Sequence, residues 1–289
     1  MLMRLPTAEH ARLREHPGAS EDPTNTKTVR DKFGAEVYRR FRAVKGELRE
    51  AIEANDAAAE LAPRQFDSEG EFDRWLDATL TDEVLDSMSE ARIERGEHWT
   101  GSYIAAAYER GVKDAGTNLR RLGIVAADEL TDAEQIDFAQ MPVHSDAIRS
   151  MWRRQFSELD GITDAVAQEV RRELADGVID GVGSDELARR LNERVDAVGM
   201  TRARTLARTE TVRAHNEAAL SRYERHGVDE VTTVVELLTA QDARVCEECQ
   251  SLSESGGPNN DGTWPIDEAH GILPVHPNCR CTFIPVVND

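Results

Sequence analysis

The sequence holds four cysteines, and all of them lie in its last fifth. Cys246-Glu247-Glu248-Cys249 is a Cys-x-x-Cys pair; after 26 intervening residues, His276-Pro277-Asn278-Cys279-Arg280-Cys281 adds two thiols and an imidazole. Two residues between the first pair let both thiolates face one ion from a tight turn, which is half of a tetrahedral structural zinc site. In an extended segment Cys279 and Cys281 point to the same side, because side chains alternate with period two. Cys246, Cys249, Cys279 and Cys281 are therefore one candidate cage. His276, at His-x-x-Cys spacing, is a fifth ligand able to displace Cys279 or Cys281. An all-cysteine cage and a cage of three cysteines with a histidine both satisfy the spacing.

Two disulfides are the competing use of four thiols, with three possible connectivities. The first 245 residues lack cysteine and show no secretory signal, so bound zinc is the expectation. Catalytic zinc would need an open coordination position and a positioned acid or base. Glu247 and Glu248 lie inside the knuckle, which favours a structural role. Two rivals stay open: a zinc-dependent hydrolase using Glu210 or His276, and a zinc-ribbon nucleic-acid binder. Against the second, Arg244 and Arg280 are outnumbered in the module by Glu247, Glu248, Asp261, Asp267 and Glu268.

The elements that must position these residues are mostly helices. Residues 1–24 show no sustained period and read as a flexible arm. From Thr26 or Thr28, Val29, Phe33, Val37, Phe41, Val44, Leu48 and Ile52 form the stripe of a long amphipathic helix, with Arg30, Arg39, Arg40, Arg42 and Arg49 largely off it. Helical spacing resumes from Phe66 to Leu80, in a segment from Asp82 to Arg95, and from Trp99 to a stop near Gly116 or Gly123. An acidic linker spans 126–140. Two helices then follow, one on Ile148 to Leu159 and one on Ile162 to Ile179, before a short helix capped by Ser184. The helix from Thr201 to His226 carries a stripe of small residues, Ala203, Ala207, Ala214 and Ala218, and stops at Gly227. Within it Arg208 and Glu210 flank Thr209. The expectation is a hydrogen-bonding cluster that docks the zinc unit, against the plainer reading of a weak surface ion-pair face. Val231 to Thr239 and Thr282 to Val287 read as short strands around an irregular loop at 251–275. The predicted fold class is mostly α: a helical N-terminal part plus a small α+β C-terminal module with short strands and a zinc site.

Composition narrows the function. Acidic residues number 55 and basic ones 35, a net charge of −20, which argues against a protein that coats DNA by neutralising phosphates. Only Lys27, Lys32, Lys45 and Lys113 are lysines; every other cation is arginine. High acid with scarce lysine points to a salt-loving microbe or its virus, since molar salt, with a Debye length of about 3 Å, screens such self-repulsion. No apolar run approaches the ~20 residues of a membrane span.

The second half resembles the head-morphogenesis domain of tailed phages typified by phage Mu protein F. The residues that carry the resemblance are Ala207-Arg208-Thr209-Glu210, Ala214-His-Asn-Glu-Ala218, Tyr223 with Gly227, Thr239-Ala240, Asp242-Ala-Arg244-Val-Cys246-Glu-Glu-Cys249 and Pro274-Val-His276-Pro-Asn-Cys279-Arg-Cys281. Asp22-Pro-Thr-Asn-Thr-Lys27 and the Ala-Tyr-x-x-Gly core within Tyr103 to Ala115 are also similar to minor head proteins. The resemblance implies a helical N-terminal domain at 25–140 and a head-morphogenesis domain at 141–289, with its zinc-binding end at 231–289. It implies a late structural virion protein of a tailed virus, not an enzyme, acting at the portal vertex in head assembly, packaging or delivery; the composition makes that virus a haloarchaeal one. Implied partners are the portal protein, the major capsid protein and packaged DNA, with no membrane and no small-molecule substrate.

Overall fold

The computed structural model describes residues 22–56, 69–86, 88–122, 142–230, 234–240 and 242–286. The expectations for residues 1–21 of the arm, for Phe66 and for the acidic linker at 126–140 lie outside the described residues. The fold is mostly helical with one small antiparallel sheet. The chain divides into two compact units, one drawn from Met1–Asp31, Gly101–Met151 and Arg208–Asp289, the other from Lys32–Thr100 and Trp152–Ala207.

Helix α1 (Lys27–Asp56) buries Phe33, Val37, Phe41, Val44, Leu48 and Ile52, the stripe the periodicity predicts. Arg39, Arg42 and Arg49 are exposed. Arg40 is not part of a solvated face: its guanidinium lies 4.4 Å over the Trp99 ring and donates to the Glu83 carbonyl at 3.0 Å. Helix α2 (Glu69–Leu80) runs into a π-helical turn, Thr81–Leu85, that ends at Asp86 in the left-handed region with φ 49°. The segment expected from Asp82 to Arg95 is therefore broken, and only α3 (Glu90–Ile93) follows. Three successive carbonyls at that helix end would be orphaned. Arg40 takes the first, Trp99 Nε1 donates to Val84 at 2.9 Å, and His98 Nε2 donates to Leu85 at 2.7 Å.

Helix α4 (Gly101–Arg121) comes next, then α5 (Pro142–Asp180), a single helix of 39 residues where two are predicted. Gly161 is exposed and costs about 1 kcal/mol in a helix. That cost is small beside the burial of Leu159, Ile162, Val166 and Val170 around it. Ile179, placed on the apolar stripe by its spacing, is instead 82% exposed. Helix α6 (Ser184–Arg194) is preceded by Gly183 at its cap position, so Ser184 is the first helical residue and not the cap. A second π-helical turn, Val195–Met200, leads into α7 (Thr201–Glu230), which runs past Gly227.

The C-terminal module begins with β1 (Val234–Leu238) and continues through α8 (Glu247–Ser255), β2 (Thr263–Pro265), α9 (Ile266–Ala269) and β3 (Thr282–Val286). The region read as an irregular loop thus contains most of α8, a strand and a helical turn. Its anchor is Trp264, 6% exposed and edge-on to Phe283 with ring centroids 5.5 Å apart. The sheet order is β2-β1-β3, antiparallel throughout, with Val235 opposite Trp264 and Pro285. Pro285 is tolerated because β3 is an edge strand. No helix among the described residues is long and apolar enough to cross a membrane.

Candidate metal centre

Each half of the motif is shaped by a short turn. Cys246 is the cap of α8: its sulfur accepts the Cys249 N–H at 3.4 Å, and the following helical turn brings Cys249 back beside it. In the other half Cys279 N–H donates to the His276 carbonyl at 3.0 Å, closing a tight turn with Asn278 at φ 65°. Asparagine tolerates that left-handed conformation better than most residues. The two turns meet. His276 Nε2 lies 3.3 Å from Cys246 Sγ and 3.2 Å from Cys249 Sγ, while Cys249 Sγ lies 3.9 Å from Cys279 Sγ. The donors form two triangles that share Cys249: Cys246, Cys249 and His276, and Cys249, Cys279 and Cys281, each within 4.8 Å.

All four cysteines are free thiols here, so the disulfide alternative is not what this structure shows. Zinc–sulfur bonds near 2.3 Å would put tetrahedral sulfurs about 3.8 Å apart, close to the separation of Cys249 and Cys279. The donor set, soft thiolates with an imidazole, suits a thiophilic divalent ion. His276 Nδ1 donates to the Pro277 carbonyl at 2.8 Å. That bond fixes the tautomer and leaves the Nε2 lone pair toward the sulfurs, as in metal-ligating histidines oriented from their far nitrogen. Hydrogen bonds from Cys249 and Cys281 push the Cys279 thiol down. The bond to Cys279, then the one to Cys281 and burial, push Cys249 up. Ionising the remaining thiols requires a compensating positive charge.

The surrounding residues fasten the site to the rest of its unit. Asp242 accepts from Arg244 Nε at 3.0 Å and from both terminal nitrogens of Arg280 at 2.7 Å each. Those guanidinium bonds, Arg280 first and Arg244 second, hold its carboxyl well below the usual range. Thr209 Oγ1 accepts the Asn278 N–H at 3.2 Å, which seats the second turn on α7. Its flanking residues are placed otherwise. Arg208 is exposed, and Glu210 accepts from Arg213 one turn along the same helix at 3.2 Å.

The larger docking contribution comes from residues the spacing did not single out, His215, Asn216 and Glu217. Asn216, fully buried, donates to the Val212 and Cys281 carbonyls at 3.0 and 3.1 Å and accepts the Phe283 N–H at 3.1 Å. Its amide covers the outer edge of β3, where Pro285 then lacks a donor. Glu217 accepts from His270 and from the Gly271 N–H at 2.9 Å, and His215 Nε2 faces Asp114 Oδ2 on α4 at 3.2 Å. The signal that could have found them is three polar residues in a row between Ala214 and Ala218 of a buried helix. The small-residue face has its counterpart in Gly111 of α4, where an added Cβ would lie 2.1 Å from the His215 carbonyl oxygen.

Residues 168–284 match the family described as Phage Mu protein F like protein. The match includes every cysteine, His276, Thr209 and the His215-Asn216-Glu217 run. The curated proteins and the solved structures compared with the chain gave no match.

Proposed function

We propose that the chain, with its Phage Mu protein F-like domain, is a minor head protein of a tailed virus, built into the capsid at the portal vertex and acting in head morphogenesis and in packaging or delivery of the genome. The observation that carries this reading is the coincidence of the family match with the docked Cys/His centre on α7. We take the portal and major capsid proteins as its partners, with packaged DNA as a further contact. Zinc is the ion proposed for the centre, held by four of Cys246, Cys249, Cys279, Cys281 and His276. When bound, it would supply charge neutralisation and a cross-link between the two turns.

The hydrolase alternative asks Glu210 or His276 to serve as acid or base. Glu210 is engaged by Arg213, and His276 has one ring nitrogen on the Pro277 carbonyl and the other facing the sulfurs. Neither is presented to a substrate, which favours a structural centre.

Quantitative mass spectrometry and asymmetric cryo-electron microscopy of purified virions test the assignment. The expected result is a few copies per particle beside the portal, with gene deletion giving defective heads or poor DNA delivery. Absence from virions together with unchanged particle yield and infectivity overturns it.

A further inference from the structure

His270, at the end of α9, is gripped through both ring nitrogens. Nδ1 lies 2.6 Å from Glu217 Oε2 and Nε2 lies 3.2 Å from Glu224 Oε1. Both carboxylates stand on α7, two turns apart and hence on one face. A neutral imidazole has a single N–H and can satisfy only one such acceptor, whereas the imidazolium satisfies both. The other oxygen of Glu217 accepts the Gly271 N–H at 2.9 Å, so one carboxylate holds side chain and backbone of the same segment. From Gly271 the chain runs directly to His276.

The charged groups facing His270 are Glu217 and Glu224 of α7. Its own helical turn carries Asp267 and Glu268, and Arg213 acts on Glu217 from one turn earlier. The carboxylates favour the cation, and the arginine supports Glu217 in its charged form.

We propose that His270 is a proton-operated latch that fastens the segment between α9 and His276 to α7, closed by the imidazolium and released when its proton is lost. The hydrogen bond to Glu217 raises the His270 pKa above its ordinary 6.5. Burial resists charge on Glu217, but the bonds from His270 and Gly271 leave its pKa lowered from 4.5. The stabilisation from His270 is therefore fully present below pH 6.5 and is lost as pH rises through the raised value. That from Glu217 is present above pH 4.5 and is lost as pH falls through the lowered value. The latch is closed between these limits and opens on the alkaline side.

Nuclear magnetic resonance on the full chain tests this through the His270 ring signals and the exchange rate of the Gly271 amide, corrected for intrinsic base catalysis. His270 is expected to titrate above 6.5, with Gly271 exchange rising severalfold across the same step. Glu217→Gln keeps an acceptor for Gly271 but removes the charge; it should return the titration toward 6.5 and abolish the step. Glu224→Gln should shift it in the same direction, which keeps the test available should the first variant not fold. Titration at or below 6.5, or Gly271 exchange with no step, overturns the latch.

Discussion

Arg280 and Asp242 form a two-pronged ion pair, with Nη1 to Oδ2 and Nη2 to Oδ1 both at 2.7 Å. Arg280 sits between Cys279 and Cys281, and Asp242 lies in the turn just before Cys246. The pair therefore ties the two cysteine-bearing segments together through side chains that are not themselves candidate ligands. Fork geometry of this kind fixes orientation as well as distance. It joins the two turns through residues 38 positions apart in sequence.

Replacing Asp242 tests that division of labour. Asp242→Asn keeps the size of the side chain but leaves Arg280 and Arg244 without their shared carboxylate. Metal affinity should fall by about 10–100-fold, the range for removing an orienting partner outside the ligands. Competition with a chromophoric chelator measures it. An unchanged affinity would mean that the cysteines position themselves.

Cys249 is common to both donor triangles, so Cys249→Ser should abolish stoichiometric metal, expected at one zinc per wild-type chain. His276→Ala should be comparably damaging if the imidazole is a ligand, and far milder if the cage is all cysteine. Elemental analysis of the two variants separates the cages. Retained zinc in Cys249→Ser contradicts both.

Two substitutions away from the donors probe how the module is docked. In Asn216→Ala the Cys281 carbonyl and the Phe283 N–H lose their buried partner, at about 1–3 kcal/mol for each stranded group. In Gly111→Ala the new methyl would meet the His215 carbonyl at 2.1 Å and the Ala218 Cβ at 2.9 Å, a backbone clash that costs about 1–3 kcal/mol or more. Denaturant unfolding of each variant checks the loss. A Gly111→Ala protein as stable as wild type would show that α4 and α7 do not approach as described.

How far the sequence foretold this fold depends on the kind of signal. The stripe from Phe33 to Ile52 is legible because burial on one face of a helix leaves a strict period. The Cys-x-x-Cys and His-x-x-Cys turns are legible because ligand chemistry fixes residue type and spacing at once. The split between Leu159 and Ile162 and the stop at Gly227 misled, since a glycine such as Gly161 or Gly227 is only a weak helix breaker when its neighbours are buried or the helix continues beyond it. Trp264 in the supposed loop was missed because a three-residue strand offers no period to detect. Asn216 and Glu217 stand within the run that carries the resemblance, but their docking role was not legible because their partners, Cys281 and Gly271, are more than 50 residues away.

The net charge of −20 leads to a prediction in which two effects oppose one another. Salt weakens exposed pairs such as Arg189 with Glu186 and Arg49 with Glu53, which contribute little, so removing salt should strengthen them slightly. Salt also screens the mutual repulsion of the surplus carboxylates, and that repulsion acts over a longer range once the Debye length grows from about 3 Å in molar salt to about 10 Å at a tenth of that. The surplus has no cations left to pair with, whereas each surface pair gains only a little, so repulsion should dominate. The melting temperature is expected to fall steadily as sodium chloride is diluted from molar concentration to dilute buffer, at fixed pH and with metal present. Repeating the series in a non-interacting osmolyte of matched viscosity separates screening from solvent exclusion. A flat or rising melting temperature on dilution would remove the high-salt reading of the composition and leave the family assignment as it stands.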